Sequence, residues 1–312
     1  MEAGSQCINV GLIGWGDLGR TVHGPILQGL AGVRVAGVAD PVGDVTYADY
    51  RQLLEQPGLD AVVIATPNAI HAEVAVAAFE RRLHVYLEKP LALSATEAQR
   101  VLAAWRQAGT VGMIGFNYRC NPLLERFQQR LARSGAGETA RSVFSLAPRP
   151  MPVWKHARQT GGGVLLDLGS HHVDLARFFF GEEIVAVNAT VRAEQLEADT
   201  ATVEMRFESG RRLESFFSWS ATHADRWEVD GPAGTVKVDR YGGGLGYRVR
   251  RRFAAGGDVS YRVALERFVA AVRGGQSVSP DLQDGWQSLA VILAAEESVR
   301  TGRTVTMKTP YE

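Results

Sequence analysis

The chain has 312 residues, more than one hydrophobic core usually organises, so two domains are expected. Hydrophobic residues make up 46% and charged residues 22%, the balance of a folded globular protein rather than a disordered one. Lys plus Arg and Asp plus Glu are each 34, and this zero net charge argues against nucleic acid or an anionic membrane as main partner. Arg248, Arg250, Arg251 and Arg252 form the one local exception and read as a solvated face. Cys7 and Cys120 lie far apart without partners at metal-ligand spacing, so no disulfide framework and no metal site are expected, and a reducing cytoplasm fits. Residues 1–6 carry no basic stretch ahead of an apolar run, and no run of about 18 apolar residues suggests a membrane span.

The first third alternates short apolar runs with helical patterns. Strands are predicted over 7–13, 33–39, 61–65, 83–87 and 111–116, and helices over 18–30, 47–55, 69–82 and 95–108. Such alternation demands a parallel sheet with helices on both faces, because parallel crossovers need a dozen or so residues. A doubly wound α/β Rossmann domain over residues 1–118 follows. Beyond it come a helix (122–133), a strand (139–146), a Gly-rich loop and a helix (164–180). Strand follows strand from 184 to about 252, divided by turns such as Glu208-Ser209-Gly210, and helices over 259–273 and 284–301 close the chain. Residues 119–312 are therefore expected to form an α+β domain on a large open, mainly antiparallel sheet.

Chemistry begins at Gly14, Gly16 and Gly19, which form G-x-G-x-x-G between the first strand and the first helix. Gly14 permits the tight turn, Gly16 lets the backbone approach a pyrophosphate, and Gly19 lets the helix pack close to the strand. Together with Asp17 and Leu18 this loop is the candidate phosphate seat, where amides at a helix N-terminus favour negative charge. Asp40 ends the next strand, 21 residues beyond Gly19, placed to accept from the adenosine ribose hydroxyls. A 2′-phosphate would be repelled there, and no Arg occurs in 41–47 to compensate, so NAD is favoured over NADP.

Leu87-Glu88-Lys89-Pro90, the Ala65-Thr66-Pro67-Asn68 turn, Gly115-Phe116-Asn117-Tyr118-Arg119, Gly161-Gly162-Gly163-Val164-Leu165-Leu166-Asp167-Leu168-Gly169-Ser170-His171-His172-Val173-Asp174 and the closing helix around Asp284-Gly285 together resemble the glucose–fructose oxidoreductase / inositol dehydrogenase (Gfo/Idh/MocA) family over nearly the whole chain. The resemblance implies a nicotinamide-dependent oxidoreductase acting on a secondary alcohol or ketone of a sugar, sugar derivative or cyclitol. It implies Lys89 as active-site lysine, Asp167 as substrate-binding acid and His171 as acid/base. Glu88, Lys89, Thr66, Pro67, Asn68 and His71 resemble positions near the nicotinamide. It also implies a homodimer or homotetramer paired through the C-terminal sheet, with Phe216, Phe217 and Trp219 of the 213–219 strand as the expected contact region.

The residue types suit that chemistry. Hydride removal from an alcohol carbon requires the hydroxyl proton to leave, and histidine is poised for it near neutral pH. Lys89, at the end of a parallel strand, can stabilise a developing alkoxide. Asp167 and His171, four apart in a helical pattern, are expected on one face, and Asp174 either orients the imidazole or caps an interior contact. His172 reads as structural. Tyr118, Arg119, Trp154 and Lys155 are candidate walls of a pocket for a polyhydroxylated ligand.

One departure stands out. Between Asp40 and Tyr47 only six residues intervene, where the family commonly has a further helix and strand, so a shallower adenine side is expected. Two other functional readings remain: an NAD-dependent glycosidase working by transient oxidation, and a non-catalytic nucleotide-binding sensor.

Overall fold

The computed structural model describes residues 7–135, 137–194, 198–232, 234–242 and 258–307. The arginine run at 248–252 lies outside them. Two compact units result: residues up to Asn117 together with the segment ending at Trp286, and Tyr118 onward together with Gln287 to the end. The return of a C-terminal segment to the first unit is a feature that no local sequence signal announces.

In the first unit, strands β1 (Ile8–Ile13), β2 (Val33–Ala39), β3 (Ala61–Ile64), β4 (His84–Leu87) and β5 (Gly112–Ile114) form a parallel sheet ordered β2-β1-β3-β4-β5. Burial on both faces explains the unbroken Ala61-Val62-Val63-Ile64, in which every side chain is inaccessible. Helices α1 (Gly24–Gln28), α2 (Tyr50–Leu54), α3 (His71–Glu80) and α4 (Ala95–Ala108) are the crossovers. The start of α4 is a capping box, with Glu97 N–H donating to Ser94 and Leu93 N–H donating to the Glu97 carboxylate. Strand order reverses between β1 and β3, which opens a crevice at their C-terminal ends.

Two helical expectations need correction here. The segment over 18–30 starts as a π-helical turn, Gly19–His23, before α1 begins. The helix predicted from residue 47 begins at Tyr50, because Asp49 is its N-cap and Tyr47 bridges to Ala39 in extended form.

The second unit holds β6 (Thr139–Ser145), β7 (Ile184–Arg192), β8 (Thr200–Phe207), β9 (Arg212–Ser218), β10 (Ala224–Gly231), β11 (Gly234–Asp239) and β12 (Val305–Thr306), ordered β11-β10-β6-β9-β8-β7-β12. Every pairing is antiparallel except β6 with β9. Around the sheet are α5 (Pro122–Ser134) and α6 (Ser170–Phe180); α7 (Val259–Gly274) belongs to the first unit, and the boundary between units falls within α8 (Leu282–Thr301). A π-helical turn, Leu165–Gly169, precedes α6 in the segment predicted as one helix over 164–180. Period-two alternation is clean on β8: Ala201, Val203, Met205 and Phe207 are buried, Glu204 and Arg206 exposed. On β9 the same alternation corrects the expected contact region. Leu213, Phe217 and Trp219 lie in the core at 1%, 0% and 3% exposure, and only Phe216 is half-exposed on the open face. Among the described residues no helix is long and apolar enough to cross a membrane.

Histidines make the fold acid-sensitive, among them half-buried His84 and buried His172. Burial pushes both His84 and His172 below the ordinary histidine value, and Val111 N–H donates to His84 Nδ1 at 3.0 Å, which requires that nitrogen to be bare. The unfolded chain binds protons at these sites near pH 6.5 while the folded chain does not, so stability is full above that value and falls below it. The melting temperature is expected to drop between pH 7 and pH 5.5. His84→Asn, whose Oδ1 still accepts from Val111, should flatten part of that drop. A melting temperature constant over this range, or an unchanged slope in the variant, contradicts the account.

Candidate active site

In the first unit the glycine loop, the 65–70 turn, Glu88-Lys89-Pro90 and Asp40 all follow the C-terminal ends of β1 to β4, on one edge of the sheet. The three glycines have separable reasons. Gly14 has φ +100°, and a Cβ there would stand 2.4 Å from the Ala65 carbonyl oxygen. A Cβ on Gly19 would meet the Gly14 carbonyl oxygen at 2.0 Å, so helix and strand touch through bare backbone. At Gly16 a Cβ would meet nothing within 4 Å, and the residue is exposed. That is the profile of a loop shaped for something outside the chain. Thr66 adds a hydroxyl, Oγ1, that is buried with no hydrogen-bond partner in the described protein. The residues therefore fit a pyrophosphate-containing cofactor. Asp17 is exposed and its 3.4 Å pair with Arg20 is a surface pair of little energetic consequence, while Leu18 caps the π turn.

Asp40 has a second duty. Its Oδ2 accepts the Trp15 N–H at 2.7 Å and its Oδ1 accepts the Val42 N–H at 2.8 Å, so the carboxylate fastens the phosphate loop to the end of β2. Each oxygen retains a further lone pair for a ribose hydroxyl. The short crossover closes tightly, with Asp40 N–H donating to the Tyr47 carbonyl and Tyr47 N–H to the Val38 carbonyl, both at 3.0 Å. Val42, 78% exposed, leaves an open apolar surface beside the acid.

Two expected cofactor contacts turn inward instead. Glu88 is 5% exposed, and its Oε1 accepts from His23 Nε2 at 2.9 Å. His71 is fully buried, with Nδ1 2.7 Å from the Pro90 carbonyl oxygen and Nε2 3.0 Å from that of Thr66. Burial pushes His71 down from its ordinary value, against the pull of two carbonyls that each favour a proton. Its side chain thus ties together the ends of β3 and β4. Lys89, next to Glu88 in the chain, is half-buried.

The second unit collects the remaining candidates. Asp167 lies in the π turn before α6, and its Oδ2 is 2.9 Å from Lys155 Nζ, with side-chain exposures of 14% and 21%. The Trp154 ring lies 5.5 Å from that ammonium. Gly162 brings the glycine loop against the backbone of Lys155, since a Cβ there would stand 2.0 Å from the Lys155 carbonyl oxygen. His171 lies in the first turn of α6 with its ring stacked on Tyr118, centroids 4.2 Å apart at 18°. Because Asp167 to His171 runs through bonds of i→i+5 type, the expectation of one α-helical face does not carry over unchanged.

Arg119 is corrected from pocket wall to structural anchor. It is 7% exposed and forms two hydrogen bonds to Asp174, at 2.8 and 2.6 Å. Of the two roles open to Asp174, the interior contact is present. Tyr118 is half-buried, and burial pushes its phenol well above the ordinary tyrosine value. His172 is inside, 2.9 Å from Ser142 Oγ and 3.3 Å from Asp225 Oδ1. Asp225 also takes Arg240, whose guanidinium lies 3.5 Å over the Tyr118 ring. Sequence reasoning missed His23, Asp225 and Arg240. The only available signal was a histidine inside an apolar helical stretch at Val22-His23-Gly24. Among the described residues no group of three or more His, Cys, Asp or Glu could hold a metal ion.

Comparison with known proteins bears on the fold and the family. Residues 8–116 match the model described as oxidoreductase family, NAD-binding Rossmann fold, and residues 138–307 match oxidoreductase family, C-terminal alpha/beta domain. A myo-inositol 2-dehydrogenase of Thermotoga maritima is 27% identical, covering 96% of this chain and 99% of its own. A D-xylose 1-dehydrogenase (NADP(+)) of Haloferax volcanii is 32% identical over 87% of this chain and 88% of its own. Among solved structures, GenD2 from gentamicin A biosynthesis in complex with NAD superposes with a TM-score of 0.86 at 25% identity, covering 97% of each chain. The chain belongs to the Gfo/Idh/MocA oxidoreductase family, and its N-terminal domain is an NAD-binding Rossmann domain.

Proposed function

We propose that this oxidoreductase transfers hydride between NAD and a secondary alcohol or ketone of a sugar, sugar derivative or cyclitol. The observation that carries the reading is the glycine loop: two glycines required by contacts within the chain, and a third, Gly16, facing open space beside Asp40. NAD is preferred over NADP because Asp40 is an anion at the ribose position with no Arg in 41–47 to offset it. The relatives are divided on this point, one named for NAD(+) and another for NADP(+). Gly14, Gly16, Asp17, Leu18 and Gly19 would hold the phosphates, with Thr66, Pro67 and Asn68 along the nicotinamide side. When bound, the nicotinamide supplies the hydride acceptor.

The chain's own residues handle charge and orientation. Lys89 donates to the alcohol oxygen and steadies negative charge as its proton leaves. His171, its ring orientation fixed by the stack on Tyr118, takes that proton. Asp167 and Lys155, already paired, offer one acceptor and one donor to neighbouring hydroxyls of a polyhydroxylated substrate, and Trp154 offers its ring face. Neither Cys7 nor Cys120 is in a disulfide among the described residues, which suits a reducing cytoplasm.

A homodimer through the open face of the C-terminal sheet belongs to the same proposal. On that face Glu204 stands directly opposite Glu214, and Arg206 opposite Arg212, all four exposed. Like charges so placed repel within one chain. A two-fold related copy could lay each basic pair on the other's acidic pair. Light scattering at micromolar concentration is expected to give a dimer or tetramer mass that Arg206→Glu with Arg212→Glu reduces. A monomer mass for the parent protein contradicts it.

Turnover is tested by absorbance at 340 nm with NAD or NADP against inositols, hexoses, sugar acids and nucleotide-sugar ketones. His171→Ala is expected to lower kcat by roughly 10²–10⁴ without changing NAD affinity. Cofactor binding without net NADH formation on any substrate would overturn the dehydrogenase reading in favour of transient oxidation or sensing.

A further inference from the structure

We propose that His23 is a positioning residue for Lys89, acting through Glu88. The inference rests on the reading of Lys89 as the residue that touches the reacting alcohol. His23 is the last residue of the π turn that follows the phosphate loop, and it is completely buried. Its Nε2 reaches Glu88 Oε1 at 2.9 Å, and a carboxylate can only accept, so Nε2 carries the proton. The imidazole is held by two ring edges, Tyr86 at 5.6 Å and 64° and Tyr261 at 5.8 Å and 88°. On its other side the Glu88 carboxylate backs onto bare backbone, since a Cβ on Gly115 would stand 2.8 Å from Oε2. Glu88 immediately precedes Lys89, and the following residue, Pro90, is fixed by His71 through its carbonyl at 2.7 Å. Lys89 is thus flanked on both sides by residues that buried histidines hold.

His23 Nδ1, in contrast, is buried with no hydrogen-bond partner in the described protein. An unsatisfied buried polar atom is destabilising, and an apolar residue of similar volume would avoid it. What the chain gains from histidine here is the single bond to Glu88. That bond ties the helix carrying the phosphate seat to the strand end carrying the lysine. The placement of Lys89 relative to the phosphate seat therefore depends on one buried contact.

The test uses the full chain with His23→Leu, His23→Asn and His23→Gln, and Lys89→Met as control. Gln places an N–H donor about as far from the backbone as Nε2, whereas Asn reaches only the Nδ1 position. His23→Leu and His23→Asn are expected to lower kcat roughly 10- to 100-fold, with KM and NAD affinity changed by no more than about twofold. His23→Gln should recover most of the rate. In the cofactor-free protein, amide exchange across residues 88–91 should rise in the Leu and Asn variants and not in the Gln variant. Parental kcat in His23→Asn, or equal losses in the Asn and Gln variants, overturns the inference, and this pair decides it even if His23→Leu does not fold. Full turnover in Lys89→Met would overturn the reading of Lys89 instead. A dead Lys89→Met beside a fully active His23→Asn would overturn the positioning role alone.

Discussion

The contact of Gly19 with the Gly14 carbonyl is the one on which the rest of the first unit depends. With a Cβ 2.0 Å from that oxygen there is no room for any other residue, so strand and helix meet through backbone alone. This approach brings the π turn down onto the ends of β3 and β4, where His23 meets Glu88. It also leaves the loop's crest, at Gly16, as open surface. Asp40 then fixes the loop laterally through the Trp15 amide. The phosphate seat, the acid beside it and the lysine-bearing strand end are consequences of one steric requirement.

Around that contact the chain spends polar groups in its interior to hold loops rather than to gain stability. Buried charged pairs gain little over apolar packing, yet removing one partner is strongly destabilising. The second unit follows the same pattern. A buried chain of contacts runs from Ser215 through Ser142, His172 and Asp225 to Arg240, which lies over Tyr118, the ring that stacks on His171. In both units the residues proposed to meet substrate, Lys89 and His171, are backed by interior histidines, carboxylates or cations that never reach solvent.

Much of this was legible in the sequence because it is local. The central strand β3 of the parallel sheet is an unbroken apolar run, and the three glycines carry their roles in their spacing. The motifs around Lys89, Asp167 and His171 identify the family, which the matched domain models bear out. What failed to show depends on long-range packing. Both π turns look like ordinary helix in the sequence, since one inserted hydrogen-bond register leaves no compositional mark. The inward turn of Glu88 needed a partner 65 residues away, and the anchoring of Arg119 a partner 55 residues away. Phe217 and Trp219 were assigned to an open face because an apolar strand reveals its alternation only when its neighbours on both sides are known.

The most direct test is an NAD titration of Gly16→Ala beside Gly19→Ala, read by calorimetry and thermal melting. A methyl at Gly16 meets no protein atom within 4 Å, so the fold should be untouched. With the melting temperature unchanged, NAD affinity should fall by about tenfold or more, equivalent to about 1.4 kcal/mol. Gly19→Ala should lower the melting temperature itself. Parental NAD affinity in a folded Gly16→Ala would contradict the placement of the dinucleotide on this loop, and with it the oxidoreductase chemistry derived from that seat.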